Sequence, residues 1–178
     1  MPQAKPEFTD AIALLKADHR KVEGLFEQFE KASGASRKQA LATQICNELK
    51  IHTTIEEEIF YPAFQGKIEE DTLAEAYVEH DGAKVLINDI MAASPEDDFY
   101  DAKVKVLSEM IEHHVEEEEK RVEGMFSQAR KAGLDMDALG QQMADEKAKL
   151  IASYKASGTP LPETSTLKST TVGQSPGA

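Results

Sequence analysis

Apolar residues recur along most of this chain at alternating steps of four and three, the spacing that lines one face of a helix. Phe8, Ile12, Leu15, Val22, Phe26 and Phe29 form one such row, and Ala42, Ile45, Leu49, Ile59 and Ala63 a second. Leu73, Tyr77, Ile87 and Ile90 or Met91 make a third, and Val104, Leu107, Ile111 and Met125 a fourth. Ser36 with Gln39 is a capping-box pair, and Ser94-Pro95-Glu96-Asp97 joins an N-cap to a proline at the first helical position and early acids. Gly34, Gly66 and Gly133 stand where C-terminal caps fall, and Asp135 can cap a last segment. Together these signals predict helices over 8–32, 36–64, 70–92, 96–131 and 135–154. Long helices joined by short turns make antiparallel neighbours. The expected fold is therefore all-α, an up-down-up-down four-helix bundle with an additional C-terminal helix, in residues 1–154. Of the last 24 residues, 15 are Ser, Thr, Gly or Pro. Such a stretch buries too little apolar surface to offset its ordering entropy, so disorder is expected over 155–178.

Polar residues interrupt each apolar row near its middle. His19 lies on the first, His52 and Glu56 on the second, His80 on the third with Ala83 or Lys84 after it, and His114 and Glu118 on the fourth, followed by Arg121. When four such helices alternate in direction their midpoints share one level, and the imidazoles should converge. A repeat supports this: His19 corresponds to His80 at an offset of 61 and His52/Glu56 to His114/Glu118 at an offset of 62, as in two related helical hairpins. A strict offset of 61 selects His113 and Glu117 instead, a register that keeps fewer apolar positions and adds Lys120 and Gly124.

Composition narrows the partners. The net charge of −13 repels phosphate backbones and anionic lipid and attracts cations, so nucleic acid and membranes are not expected partners. The opening MPQAKPEF has no apolar signal core, and no apolar run is long enough to span a bilayer, which predicts a cytoplasmic protein. The single Cys46 is expected to be a small buried helix residue.

A lone histidine in a helix seam is usually a hydrogen-bonded core residue. One H-x-x-x-E means little in a chain with 33 acids, where the run Glu116 to Glu119 can be a solvated face. Four seam histidines at one level are a different matter. Two carboxylates buried beside neutral imidazoles would cost several kcal/mol, a cost that metal removes. Nitrogen and carboxylate donors without thiolate suit iron, manganese or zinc. A histidine and a glutamate one turn apart are about 6 Å apart along the axis, so a glutamate from each half can bridge two ions while each ion keeps two histidines. That arrangement leaves open positions, the mark of a reactive site.

The order H, HxxxE, H, HxxxE, with IFYP after the second helix's acids and EHHVEEEE in the fourth, resembles the hemerythrin-like, or HHE cation-binding, domain over roughly residues 8–154. The resemblance implies a four-helix bundle holding two Fe ions in a non-haem, oxo- or hydroxo-bridged di-iron centre, with His19, His52, Glu56, His80, His114 and Glu118 as ligands. It implies binding or sensing of dioxygen, peroxide or nitric oxide, with peroxide decomposition as a further activity. No separate acid-base residue stands out beyond His113 and Tyr77. His80 lacks the paired histidine of the oxygen carriers, since Ala76 and Lys84 stand four residues away. Tyr77, one turn before it, can supply a phenolate or simply fill the seam. Gly124-Met125-Phe126-Ser127 replaces the phenylalanine-proline ending common in such domains, so the fourth helix is expected to run on uninterrupted. The alternatives are an iron store or iron-level sensor without turnover, and a metal-free interaction bundle docking through its final helix.

Overall fold

The computed structural model describes residues 10–168, and Phe8 of the first apolar row lies outside them. The described chain is helical: α1 (Ala11–Lys31), α2 (Ala35–Ile55), a π turn (Glu56–Phe60) leading into the short α3 (Tyr61–Phe64), α4 (Glu70–Ala92), α5 (Tyr100–Glu119), α6 (Met125–Lys131) and α7 (Met136–Ser157). Asp10 and Asp135 cap α1 and α7 by accepting from the N–H groups of Ala13 and Ala138. Helices α1, α2, α4 and α5 form the bundle, with α1 touching α2 and α5, and α4 touching α2 and α5. The extra helix α7 packs across α1 and α2 and leaves the α4–α5 side uncovered. Gly140 permits that approach: a Cβ there would lie 2.6 Å from the backbone nitrogen of Ala11. None of the described helices is long and apolar enough to cross a membrane.

Two apolar clusters divide the interior. Val22, Phe26, Phe29, Ile45, Leu49, Ile87, Val104, Leu107 and Ile111 belong to one. Ile12, Leu15, Ile55, Phe60, Phe64, Leu73, Met125, Phe126 and Met143 belong to the other. His19, His52, His80, His114, Glu56 and Glu118 are buried as well, and the two clusters shield them from bulk water.

Three expectations fail for local reasons. The fourth helix does not run from 96 to 131: it begins at Tyr100, stops at Glu119 and resumes at Met125. Ser94 and Asp97 spend their capping groups on a turn, Asp97 accepting from the Ser94 N–H and Ser94 Oγ from the Glu96 N–H. At the interruption the backbone doubles back so tightly that a Cβ on Gly124 would stand 2.5 Å from the Lys120 carbonyl oxygen and 2.8 Å from that of Glu118. Only glycine fits there. Second, Gly34, at φ 87°, starts α2 without a side-chain cap, so the Ser36/Gln39 box does not form. Third, disorder does not begin at residue 155. Helix α7 continues to Ser157, and the segment after it lies against α4. Asp81 Oδ2 accepts from the N–H groups of Ser165 (2.9 Å), Thr166 and Leu167 (2.9 Å) and from the Thr166 hydroxyl (2.7 Å). These bonds replace the apolar burial that the composition lacks. Residues 169–178 lie outside the described chain.

Candidate metal centre

Each bundle helix delivers one imidazole to the level between the two apolar clusters. His19 Nε2 lies 3.2 Å from His52 Nε2, and His80 Nε2 lies 3.1 Å from His114 Nε2. The two glutamates join these pairs. Glu56 Oε2 is 3.1 Å from His52 Nε2 and 3.3 Å from His80 Nε2, so one oxygen serves both. Glu118 divides its oxygens, Oε2 at 3.3 Å from His19 and Oε1 at 3.6 Å from His114. His113, by contrast, turns outward and is mostly exposed, as is much of Glu117. The structure thus brings together His19, His52, Glu56, His80, His114 and Glu118 and separates them from the alternative register.

These distances suit cations. Two donors each about 2.1 Å from one ion stand about 3.0 Å apart at a right angle and about 3.4 Å apart at the tetrahedral angle. The observed nitrogen–nitrogen and Glu56 separations of 3.1 to 3.3 Å fall between. Glu56 Oε1 and Glu118 Oε2 are buried without a hydrogen-bond partner. A buried carboxylate oxygen without a donor is costly unless a cation faces it. His19, His52, Glu56 and Glu118 form one group able to hold an ion, and Glu56, His80 and His114 a second.

A ring of acids that sequence reasoning did not assign lies behind the imidazoles. Glu119 Oε1 is 2.8 Å from His19 Nδ1, Glu57 Oε1 3.0 Å from His80 Nδ1, and Glu79 Oε2 2.7 Å from His114 Nδ1. Asp18 Oδ2 faces His52 Nδ1 at a looser 3.6 Å. The ring passes from helix to helix: α1 supplies the acid for α2, α2 and its π turn for α4, α4 for α5, and α5 for α1. Each such carboxylate draws the ring proton to Nδ1 and turns the Nε2 lone pair inward. Basic side chains stand outside in turn, Lys147 against Asp18, Lys84 against Glu57 (2.7 Å), Arg20 against Glu119 (2.8 Å) and the His113 ring against Glu79 (3.4 Å). The signal was present in the sequence: Asp18, Glu57, Glu79 and Glu119 each adjoin His19, Glu56, His80 or Glu118.

Electrostatics revises one premise. Burial alone pushes His52 down, but the charges of Glu56 and Asp18 and their contacts outweigh it and raise the pKa to about 10. The same opposition, with Glu56 and Glu57 prevailing over burial, raises His80 to about 9. Burial also works against ionised Glu56, yet His52 and His80 hold its carboxyl well below the usual range. Protonated imidazoles can therefore compensate the buried acids without metal. Cations entering the centre compete with protons for Nε2.

The phenol at the centre is Tyr61, not Tyr77. A regular helix would put Phe60 above Glu56, but in the π turn the Tyr61 N–H donates to the Glu56 carbonyl five residues back and brings Tyr61 onto the inner face. The same slip buries Phe60, Tyr61 and Phe64 in place of the expected Ile59 and Ala63. The Tyr61 hydroxyl is 3.2 Å from Glu118 Oε1, 3.4 Å from Glu56 Oε2 and 3.2 Å from His80 Nε2. Burial, then the charges of Glu56 and Glu118, push its pKa well up, so it keeps its one proton for donation to Glu118 or Glu56. Tyr77 stays half-buried, its ring edge against that of Tyr61 at 5.2 Å.

The comparisons agree with this geometry. Residues 10–126 match the model of the hemerythrin HHE cation binding domain. The chain belongs to that family, whose domain binds metal cations. In structure it is similar to a hemerythrin HHE cation binding domain-containing protein from Mycobacterium kansasii, with a TM-score of 0.69 at 20% identity, covering 84% of this chain and 94% of that one. In sequence it is 30% identical over 106 residues to a DNA nickase from Nostoc sp. strain PCC 7120, covering 60% of this chain. The matched stretch is only 30% of the nickase's length.

Proposed function

We propose that His19, His52, Glu56, His80, His114 and Glu118 hold two iron ions and that the centre binds or senses a small oxidant, namely dioxygen, peroxide or nitric oxide. The supporting observation is the pair of orphaned oxygens, Glu56 Oε1 and Glu118 Oε2, enclosed among four imidazoles whose Nε2 atoms all face inward. Iron in such a nitrogen and carboxylate set can exchange electrons with a bound oxidant, and decomposition of peroxide would follow from that chemistry. The protein's own residues limit what reaches it. A cavity of about 10 Å³ touches all four imidazoles and is walled by Val22, Leu49, Ile111 and Val115. That is on the order of one water's worth of space, enough for a ligand of two or three atoms. Tyr61 offers a proton beside Glu56 and Glu118, and Phe126, in the same apolar cluster, is stacked on His19 at 5.9 Å. The acidic surface favours cations over nucleic acid, so the nickase relative does not extend this reading to DNA.

The test is the metal content of protein purified without added metal, with its optical spectrum before and after peroxide. Iron in both groups and a near-ultraviolet band that peroxide alters would uphold the reading. Zinc, or no metal, would overturn it.

A further inference from the structure

We propose that the recess between α4, α5 and the Lys120–Gly124 break is the inlet through which a divalent cation reaches the centre, guided by Glu75, Glu117 and Glu123. This rests on the metal-binding reading and adds a route to it. The recess holds about 50 Å³, room for a cation with part of its water shell. Its mouth carries Glu75, Glu117 and Glu123, with Lys120 paired to Glu117 at the rim. Glu79 stands further in. The inner end is formed by His114 and Glu118, 4% and 1% exposed, so the recess reaches side chains of the centre itself. Glu118, which ends the recess, has one buried oxygen, Oε2, without a hydrogen-bond partner. Because Lys120 pairs with Glu117 at the rim, a cation passing inward is met by Glu75 and Glu123, then by Glu79, and ends at His114 and Glu118.

The larger groove between α1 and α5, about 480 Å³, is also rimmed by acids, and its chemistry is different. Its walls include Arg20, and its floor is Phe26, Ile111 and Val115. Its innermost acid, Glu119, already faces His19, Arg20 and Lys16. A cation there would meet a guanidinium and then an apolar floor.

An acidic mouth raises the local cation concentration and speeds association by about tenfold or more, an effect that salt removes. The test is stopped-flow uptake of Co(II) by metal-free full-length protein, comparing Glu75→Gln/Glu117→Gln/Glu123→Gln with Glu27→Gln/Glu112→Gln/Glu116→Gln in the α1–α5 groove. Both variants remove the same charge from exposed or half-exposed positions. The first should take up cobalt about tenfold more slowly, with a flatter dependence on NaCl and an unchanged final content. The second should stay within about twofold of the parent. Equal rates in the two variants, or greater slowing in the second, would overturn the inlet. A lower final content in the first would overturn it too, by making Glu117 a ligand. A parent protein that binds no cobalt would instead fail the metal-binding reading.

Discussion

The two hairpins of the bundle, α1–α2 and α4–α5, supply nearly the same donors and are finished differently. The first is covered by α7, and its α2 runs into a π turn that swings Tyr61 across to the other hairpin's histidines. The second is met by the segment after α7, bonded to Asp81 of α4, and its α5 breaks at Gly124 so that Phe126 folds back onto His19 of the first. Each hairpin's ending thus serves its partner's imidazoles. The His80/His114 group gains a phenol, whereas the His19/His52 group gains an aromatic wall. A near-symmetric sequence repeat produces two inequivalent places for an ion.

Substitution of donors should break that comparison most sharply. Glu56 Oε2 contacts a histidine of each pair, so Glu56→Gln should release both ions. His114→Ala should empty only the second group. By analogy with outer partners, whose loss costs 10 to about 100-fold in affinity, loss of a shared donor should exceed about 100-fold. Iron content and binding isotherms measure both. Equal stoichiometry in the two variants would contradict a shared oxygen.

Gly124 and Gly82, both on the second hairpin's side, differ in what surrounds them. In Gly124→Ala the new methyl group would meet backbone carbonyls that cannot move aside, and a loss of about 3 kcal/mol is expected in denaturant unfolding. In Gly82→Ala it would meet only the mobile Cε of Met110, at 2.7 Å. There the gain in helix propensity, about 1 kcal/mol, should offset most of the strain. A Gly124→Ala protein as stable as Gly82→Ala would show that the break is not held by backbone contact.

Acid–base behaviour is shared by the hairpins: the first contributes His19, raised, and His52, raised to about 10, and the second His80, raised to about 9. In metal-free protein their contribution to stability should be complete below about pH 6.5, where the unfolded imidazoles are protonated too. It should fade as pH rises toward 9 and 10, through the folded values. The slope is on the order of 1 kcal/mol per pH unit for each group. His52→Gln and His80→Gln should each flatten the profile of metal-free melting temperature. A profile level from pH 6.5 to 10 in the parent protein would disprove the imidazolium–carboxylate pairing.

The helical rows were legible because each apolar position in α1, α4 and α5 repeats a face that must be buried, and the inward register of His19, His52, His80 and His114 follows from the same rows. What escaped notice depends on backbone departures that a fixed period cannot express. One residue added to the ladder at Glu56–Phe60 turns Tyr61 inward, and one glycine at 124 lets the chain reverse. The outer acids escaped for another reason. Asp18, Glu57, Glu79 and Glu119 resemble ordinary surface acids until the neighbouring helix brings a histidine to each.

The smallest effect should distinguish the two tyrosines. Tyr61 is fully buried with its hydroxyl 3.2 Å from His80 Nε2, while Tyr77 reaches the centre only through ring contact with Tyr61. If the second ion draws on a phenol, iron-loaded protein should show a broad visible band that Tyr61→Phe abolishes and Tyr77→Phe leaves within about 10% of its intensity. Without the cation, burial and the charges of Glu56 and Glu118 keep Tyr61 protonated, so the same band should be absent from metal-free protein at every pH below 10, the ordinary value for tyrosine. Loss of the hydroxyl also removes the single proton that the two acids share, a change of about 1 kcal/mol that metal-free unfolding can measure. A band that survives Tyr61→Phe and disappears in Tyr77→Phe would mean that the π turn aims the wrong ring, and the inequivalence of the two hairpins would have to be sought elsewhere.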